Sequence, residues 1–277
     1  MPTPINHLFD HIHKVPQIPE VVRVIINQLN DPSIEMLNIA KNVEKEQVIV
    51  LKILRLVNSA HFGLSRKVGS IEDATVMLGI SQLKTLVIAS GLVSAVPALD
   101  NFDLKQFWNN SFRIASYAKW FAEQGKLSAD IAYTAGLIGN LGHILIHMGL
   151  PSEGNEIEQH VQAGRTSRTE IEKNRLGFTS QAVCAELCRR WKFSEELIET
   201  IEQSDEPLAK ANATPLAYAV FLARFVNDRQ NWGQNEQEIA NDIPVQALER
   251  INLTPVFMSD KLADLLALQS NLEGLAD

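Results

Sequence analysis

The sequence predicts an all-α fold, and three observations support this prediction. Apolar residues recur at helical spacing along most of the 277 residues, and 45% of the residues are hydrophobic, which is ample material for a core. Serine, glycine and proline residues interrupt the apolar runs where helices would begin and end. No two alternating runs are joined by a tight turn, so no β-hairpin is expected. The length fits one large domain or two modest ones.

The N-terminal region contains two apolar stripes at helical spacing. The first stripe covers residues 21–29 and the second covers residues 34–43. The sequence NDPS separates the two predicted helices, because Pro32 breaks a helix and Ser33 can cap the next one.

The run VIVLKIL, at residues 48–54, is compatible with a buried strand or with a helix. A helix is favoured because leucine, lysine, arginine and alanine, all good helix formers, continue the run. We expect this helix to reach Val57 and to be buried on most of its sides. The polar loop NSAHFGLSRKVGS follows at residues 58–70.

The next two helices each have a start signal. Ser70 is placed to cap a helix, and Asp73 stands three residues later, where a capping box would have glutamate. In LGIS, at residues 78–81, the glycine ends that helix and Ser81 is the expected cap of the following one.

The central and C-terminal regions continue the helical pattern. Ser128 begins a single apolar helix that ends at Gly149 and Pro151 and contains AGLIGNLGHILIHMG, at residues 135–149. Residues 229–241 are polar and are expected to form a surface loop. Other helices are predicted over residues 107–122, 166–174, 179–191, 194–203 and 215–227.

Charge and hydropathy exclude some classes of function. The net charge of −8 disfavours a protein that grips nucleic acid by neutralising phosphates. The basic residues Arg189, Arg190 and Lys192 are interpreted as a solvated helix face. The N-terminus has no apolar signal region, and the longest apolar run, residues 86–99, is too interrupted for a membrane span. A cytoplasmic location without a membrane partner is therefore expected.

Three glycines, Gly136, Gly139 and Gly142, occupy the apolar helix at residues 135–149. Each one costs on the order of 1 kcal/mol relative to alanine in a helix interior. The favoured explanation is close approach of another helix. The alternative is a polar cavity that binds a small ligand or ordered water.

Five stretches follow one another in a recognisable order. They are VPQIPEVVRVIINQLNDP (residues 15–32), LKILRLVNSAHFG (51–63), SIEDATVMLGISQLKTLVIA (70–89), AGLIGNLGHILIHMG (135–149) and LGFTSQAVCAELCRRWKFSEELIETI (176–201). Together they resemble the HDOD family, whose domains are related to metal-dependent HD phosphohydrolases, over about residues 10–205. The resemblance implies a multi-helix HD-like bundle. Its expected parts are an N-terminal helical part (residues 1–95), packed on a degenerate HD core (96–205), and a C-terminal helical extension (206–277).

The resemblance also implies that the metal ligands of the HD enzymes are replaced in this chain. Asn110 stands where the family often has histidine, Gly139 and Asn140 stand at the His-Asp pair, and His143 corresponds to the lysine that follows the pair. Ser180 occupies a later histidine position. We predict that these positions form a degenerate pocket without catalytic or metal-binding residues.

Gln203 completes the predicted pocket, because it aligns with the last ligand motif of the family. The motif falls on Gln203 and Ser204, and Asp205 lies one step away. A divalent metal on His143 and His147, four residues apart on one helix face, is the alternative for a cofactor. No third ligand accompanies this pair, and the glutamate of HExxH is absent, so no cofactor is expected.

The resemblance implies a non-catalytic module of bacterial signal transduction that contacts a protein partner. An HD phosphohydrolase with atypical ligands is the alternative. The motif loop is the candidate partner contact or hinge, although its residues are equally compatible with capping, turning and core packing. The loop residues concerned are Asn58, Ser59, His61, Phe62 and Gly63.

Overall fold

A computed structural model describes residues 4–13, 15–29, 36–60, 62–63, 66–100, 102–164, 166–268 and 272–275. All regular structure in these residues is helical, which confirms the all-α prediction. Short 3₁₀ turns lie at Pro207–Ala209 and Glu273–Leu275. The α-helices are α1 (Pro4–His11), α2 (Glu20–Asn27), α3 (Met36–Val43), α4 (Gln47–Val57), α5 (Ile71–Leu78), α6 (Ile80–Ala95), α7 (Leu104–Gln124), α8 (Ala129–Ile138), α9 (Leu141–Gly149), α10 (Pro151–Ala163), α11 (Arg168–Leu176), α12 (Ser180–Arg190), α13 (Glu195–Gln203), α14 (Pro215–Asn231), α15 (Glu236–Asp242), α16 (Val245–Glu249) and α17 (Pro255–Leu266).

The described residues divide into two compact units. The large unit draws on Met1–Val15 and Asn110–Gln269, and the small unit draws on Pro16–Asn109 and Ser270–Asp277. The chain therefore passes from the small unit to the large unit within α7, and α1 belongs to the large unit. The bounds of these compact units differ from residues 95 and 205. The predicted division into domains at those two residues stays a prediction.

The small unit buries the predicted stripe of α2 against α6. A Cβ atom on Gly91 of α6 would lie 2.3 Å from Cγ2 of Val22, so the two helices approach closely at this glycine. The helix predicted at residues 48–57 is confirmed as α4. Its predicted burial on most sides is wrong, because Val48 is 60% exposed and Leu51 is 68% exposed.

The predicted cap of α5 is confirmed, since the Ser70 hydroxyl accepts a hydrogen bond from the Asp73 backbone N–H at 3.0 Å. The cap predicted at Ser81 is wrong. Gly79, with φ of +81°, directly precedes Ile80, the first residue of α6. One glycine thus ends α5 and begins α6, because a left-handed φ is available to glycine without strain. The cap predicted at Ser33 lies outside the described residues.

The apolar stretch predicted as a single helix after Ser128 forms two helices, α8 and α9, separated by a turn at Gly139 and Asn140. The His143 N–H bonds to the Asn140 carbonyl three residues back, at 3.0 Å, which tightens the chain at this turn. The stretch Ala129–Gly149 is long and apolar enough for a membrane span, but 89% of that window is buried inside the protein. It is therefore a core element of the large unit.

Helices α10 and α15 lie where the sequence predicts a helix stop and a surface loop. Pro151 does not stop a helix but occupies the first turn of α10, where its missing N–H is harmless. Helix α15 lies within the predicted loop at residues 229–241 and has a complete capping box between Asn235 and Glu238. The fully buried Ile239 anchors α15 to the core.

Candidate functional site

The candidate site lies in the large unit, where α8, α9 and α12 pack closely. A Cβ atom on Gly136 would lie 2.9 Å from the Ala115 Cα in α7, and one on Gly142 would lie 1.8 Å from the Ser180 carbonyl oxygen. Close helix approach therefore explains these two glycines, as favoured from the sequence. Gly139 differs, because its nearest atom is the Ala135 carbonyl oxygen of the preceding turn, at 2.8 Å.

Asn110 and Asn140, two of the predicted pocket residues, form hydrogen bonds within the fold. The Asn140 side chain is 4% exposed, and its amide nitrogen donates to the Ser111 hydroxyl at 3.2 Å. The Asn110 side-chain oxygen accepts from Arg113 Nη2 at 2.8 Å. Both amides thus brace α7, on which Asn110, Ser111 and Arg113 lie.

Ser180 is fully buried at the start of α12, beside Gly142. Its backbone N–H donates to Glu172 Oε2 at 2.6 Å, and Glu172 is also fully buried. Arg168 faces this carboxylate, with 3.7 Å between Arg168 Nη1 and Glu172 Oε1, and also pairs with Glu158. The Ser180 backbone is therefore bonded to the buried carboxylate of Glu172, which has the Arg168 guanidinium as its partner.

The carboxylate of Asp205 is the centre of a second polar cluster. Arg224 Nη1 lies 3.0 Å from Asp205 Oδ1, and the side chains of this pair are 14% and 7% exposed. The Thr169 hydroxyl donates to Oδ1 at 3.1 Å, and the Thr179 hydroxyl donates to Oδ2 at 2.5 Å. Both carboxylate oxygens are therefore engaged by neighbours.

The Gln181 amide bridges Asp205 and Arg224 when its nitrogen faces the Asp205 carboxylate and its oxygen faces the Arg224 guanidinium. In that orientation its nitrogen donates to Asp205 Oδ1 at 2.7 Å and to the Ser180 hydroxyl at 2.9 Å. Its oxygen accepts from Arg224 Nη1 and Nη2 at 2.5 and 2.6 Å. This bridge connects Ser180 with the Asp205 cluster.

Gln203 lies apart from these hydrogen bonds. Its side-chain oxygen accepts from the Thr214 backbone N–H at 2.8 Å, so it supports the loop before α14. Asp205, two residues after the end of α13, makes the contact with Arg224.

The electrostatics around His143 are set by burial and by two arginines. Burial, with the positive charges of Arg168 and Arg224, holds the pKa of His143 well below its usual value. Burial raises the pKa of Glu172, although Arg168 opposes this shift. Burial also raises the pKa of Asp228, against the opposing charge of Arg224.

The side chains at these positions do not fit a divalent metal. Asn110, Asn140 and Ser180 supply neutral groups, Gly139 supplies none, and hard or borderline cations prefer carboxylates and imidazoles. Within the described residues, no group of three or more histidine, cysteine, aspartate or glutamate side chains could hold a metal.

His147 does not combine with His143 into an alternative metal site among the described residues. The ring nitrogen Nε2 of His147 bonds to the Asn155 side-chain oxygen at 3.0 Å, so Nε2 is engaged within the protein. The guanidiniums of Arg168 and Arg224 act on His143 and would repel a cation there.

The motif loop of the small unit is fastened by Asn58. Its amide nitrogen donates to the carbonyl oxygens of Leu54 and Val68, both at 2.8 Å, and its oxygen accepts from the Val68 N–H at 2.8 Å. Gly63 adopts a left-handed φ of +55°, and the Ser59 hydroxyl oxygen is buried. Of the two interpretations of this loop, the geometry of Asn58 supports a structural role.

Phe62 in the same loop is half-buried, which leaves its role as a partner contact a prediction. His61 lies outside the described residues.

Sequence reasoning missed the charged residues that join the helices of the candidate site. These residues are Arg168, Glu172 and Arg224, whereas Asp205 was noted only for its place beside the last ligand motif. One signal was available: Arg224 interrupts the apolar run PLAYAVFLARFV, and an arginine inside such a run needs a buried partner.

Comparison with known proteins identifies the family. Residues 15–207 match the HDOD domain. An uncharacterized protein of Treponema pallidum (strain Nichols) is 25% identical over 253 residues, which cover 88% of this chain and 49% of that protein. The chain thus spans about half the length of this relative.

Solved structures share the fold. A Shewanella amazonensis SB2B protein, described as a candidate phosphohydrolase, has a TM-score of 0.77 and 26% identity, with 98% of this chain and 97% of that chain covered. An HDOD domain protein of unknown function from Geobacter sulfurreducens has a TM-score of 0.79 and 20% identity, covering 96% and 95%. The HDOD match extends over well over half of the sequence, and the chain therefore belongs to the HDOD family.

Proposed function

We propose that this chain is a non-catalytic regulatory module of bacterial signal transduction that acts in the cytoplasm through contacts with protein partners. One observation carries the proposal: the positions that hold metal in the related HD enzymes are used here for internal bonds. Asn110 binds Arg113, Asn140 binds Ser111, and the Ser180 backbone binds Glu172. The oxygen of Asn110 and the amide of Asn140, which could face a metal, are engaged in these internal bonds instead.

The Asp205 cluster supports the same proposal. Asp205 is the acidic residue nearest to the last family motif, and Arg224 with two threonine hydroxyls engages both of its oxygens. A metal would have to displace a buried guanidinium from its carboxylate, which leaves an uncompensated charge. The proposed module therefore needs no metal for its structure.

The surface charges support a protein partner over nucleic acid. Arg189 pairs with Glu202, and Arg190 pairs with Glu186 at 2.9 Å. These ion pairs compensate much of the basic strip, so it offers little excess positive charge to a phosphate backbone.

The test combines metal analysis with activity assays. We expect less than stoichiometric transition metal in the purified protein. We also expect no turnover of phosphomonoester or phosphodiester substrates with added Mg²⁺, Mn²⁺ or Zn²⁺. A stoichiometric metal together with turnover that is lost in the His143→Ala variant would contradict the proposal.

A metal-dependent phosphohydrolase is the second candidate, favoured by the likeness to the Shewanella structure described as a candidate phosphohydrolase. The same assays distinguish the two functions, because only this candidate requires a metal. The Gly142→Ala variant is a further comparison in the metal and activity assays. It disturbs the packing at Ser180 and keeps every atom that could bind a metal.

The proposed partner is tested separately by capture from native cytoplasm. Tagged protein is expected to retain a protein at near-equal amounts, and excess untagged protein should compete it away. If no protein is retained in a competable manner, the proposed mode of action is wrong even when the catalytic assays are negative.

A further inference from the structure

Arg113 differs from most arginines of the large unit in its partners. Arg168, Arg175, Arg189, Arg190, Arg224 and Arg229 each lie within 4.0 Å of a carboxylate oxygen. In the described part of the chain, no carboxylate oxygen lies within that distance of Arg113. Its three hydrogen bonds go to neutral amide oxygens instead: Nε donates to Asn227 at 2.7 Å, and Nη2 donates to Asn110 at 2.8 Å and to Asn231 at 2.5 Å.

These bonds fix the guanidinium without neutralising its charge. Asn227, on α14, is 2% exposed, so the partner of Arg113 Nε is a buried side chain. Asn231 is exposed at the end of the same helix and also donates to the Asn110 oxygen at 3.4 Å. The guanidinium plane is therefore held between α7 and α14 before any ligand arrives.

Two donors at this place remain unused within the described residues. Arg113 Nη1 and the Asn110 amide nitrogen donate no hydrogen bond to them. Arg113 is half-buried and Asn231 is exposed, so solvent reaches this edge. The Asn110 amide is bonded through its oxygen to the same guanidinium, so a cation and a neutral N–H donor belong to one hydrogen-bonded group. Donors of these two kinds suit the oxygens of a carboxylate or phosphate group.

Asp228, which follows Asn227 in the sequence, does not supply Arg113 with an ion pair within 4.0 Å. The Asp228 carboxylate accepts from the Asn227 amide at 3.3 Å, and Arg224 is the arginine that acts on it most strongly. Arg224 is thus the main counter-charge of Asp228. The positive charge of Arg113 is only partly balanced by this carboxylate.

We propose that Arg113 and Asn110 form a binding site for the oxyanion of a small molecule, a phosphate or carboxylate group. Arg113 supplies charge and a planar donor, Asn110 supplies a neutral donor, and Asn227 and Asn231 position the guanidinium. This site does not depend on whether the protein has a protein partner or catalyses a reaction.

The test is titration of the whole chain with inorganic phosphate, pyrophosphate or acetate at constant ionic strength, followed by the NMR signal of the Arg113 side-chain nitrogen. A saturable shift is expected, with an affinity on the order of 1 mM for the simple anions. Stronger binding of phosphate than of acetate identifies a phosphate ligand, and the reverse order identifies a carboxylate. No saturable shift with any of the three anions overturns the proposal.

Two variants separate binding from folding. Asn231→Asp places a carboxylate against Arg113 and keeps the shape of the side chain, so anion binding should weaken by about tenfold or more while the protein stays folded. The control is Arg250→Gln, which removes an exposed arginine that stacks 5.9 Å over the Tyr218 ring, and binding should be unchanged. Binding that is equal in wild type and Asn231→Asp contradicts the proposal.

Discussion

At the scale of single residues, the packing of the large unit depends on the absence of a side chain at Gly142. The Ser180 carbonyl oxygen occupies the place where a Cβ atom would lie, 1.8 Å away. This oxygen belongs to the backbone at the start of α12, so it cannot move as the end of a flexible side chain can. The space that a ligand pocket would need next to α9 is therefore filled by protein at this point.

The Gly142→Ala variant should accordingly lose about 3 kcal/mol or more of unfolding free energy, at the upper end of the range for overpacked cores. Unfolding in urea, followed by circular dichroism, measures this loss. Gly164→Ala is the matched control, because its Cβ atom would be 3.5 Å from the nearest atom at a negative φ of −134°. The control should change stability by less than about 0.5 kcal/mol. Equal stability of the two variants would refute the packing argument.

At the scale of elements, α4 shows that periodicity predicts the type of an element better than its burial. The helix-forming residues of this run correctly predicted that α4 is a helix. Two of its apolar residues, Val48 and Leu51, nevertheless lie on its solvent face. The same helix buries Ile53 completely. An apolar residue at the surface is indistinguishable in sequence from one in the core, because both have the same side chain.

Two alanine variants of α4 check this difference. Leu51→Ala should change the unfolding free energy by less than about 0.5 kcal/mol, as expected for a surface position. Ile53→Ala should destabilise the protein by about 2–5 kcal/mol, because it leaves a cavity. Thermal or urea unfolding of both variants provides the measurement, and a similar loss in each would show that Leu51 is covered in solution.

The loop after α4 gives a second prediction at this scale. Asn58→Ala removes three hydrogen bonds and should cost about 1 kcal/mol for each. It should also expose the Val68 amide to faster hydrogen exchange. Asn42→Ala is the control, because Asn42 is exposed and its side chain accepts from the Lys45 ammonium, so this variant should keep the Val68 amide protected. Protection that persists in Asn58→Ala would mean that the side chain does not fasten the loop.

At the scale of the whole molecule, the stability should depend on pH through buried titratable groups. His143 has a pKa well below its ordinary value of 6.5 because burial disfavours its charged form. As the pH falls below 6.5, the unfolded chain takes up a proton on this histidine that the folded protein does not, and stability falls. Glu172 and Asp228 act in the opposite direction, since burial raises their pKa values above 4.5 and 3.8.

The His143→Gln variant isolates the contribution of the histidine. Its unfolding free energy should fall less steeply than that of the wild type between pH 6.5 and 5, by up to about 1.4 kcal/mol per pH unit. Urea unfolding at a series of pH values measures both slopes. At pH 8 the difference between the two proteins should no longer change with pH, and parallel slopes below pH 6.5 would contradict the prediction.

Across the whole chain, local patterns predicted most helices but not the interactions between them. The helical stripe of residues 21–29 and the cap at Ser70 were visible because their partners are a few residues away. The pair of Asp205 and Arg224 joins the end of α13 to α14, and neither residue has a local signal for the other. Asn110 and Asn140 could be singled out from the family motifs, whereas the bonds that these amides make could not.

The division of the chain between the two units has a consequence for synthesis. Helix α1 packs in the large unit, where Leu8 lies against Gly149 and Arg190 stacks 4.0 Å over the Phe9 ring. These partners are made roughly 10–40 s after α1 at ribosomal speed. Until then Leu8 and Phe9 have no docking surface, whereas residues 16–109 of the small unit emerge as one continuous segment. We therefore expect α1 to be among the last of these helices to dock, and to depend on protection during translation.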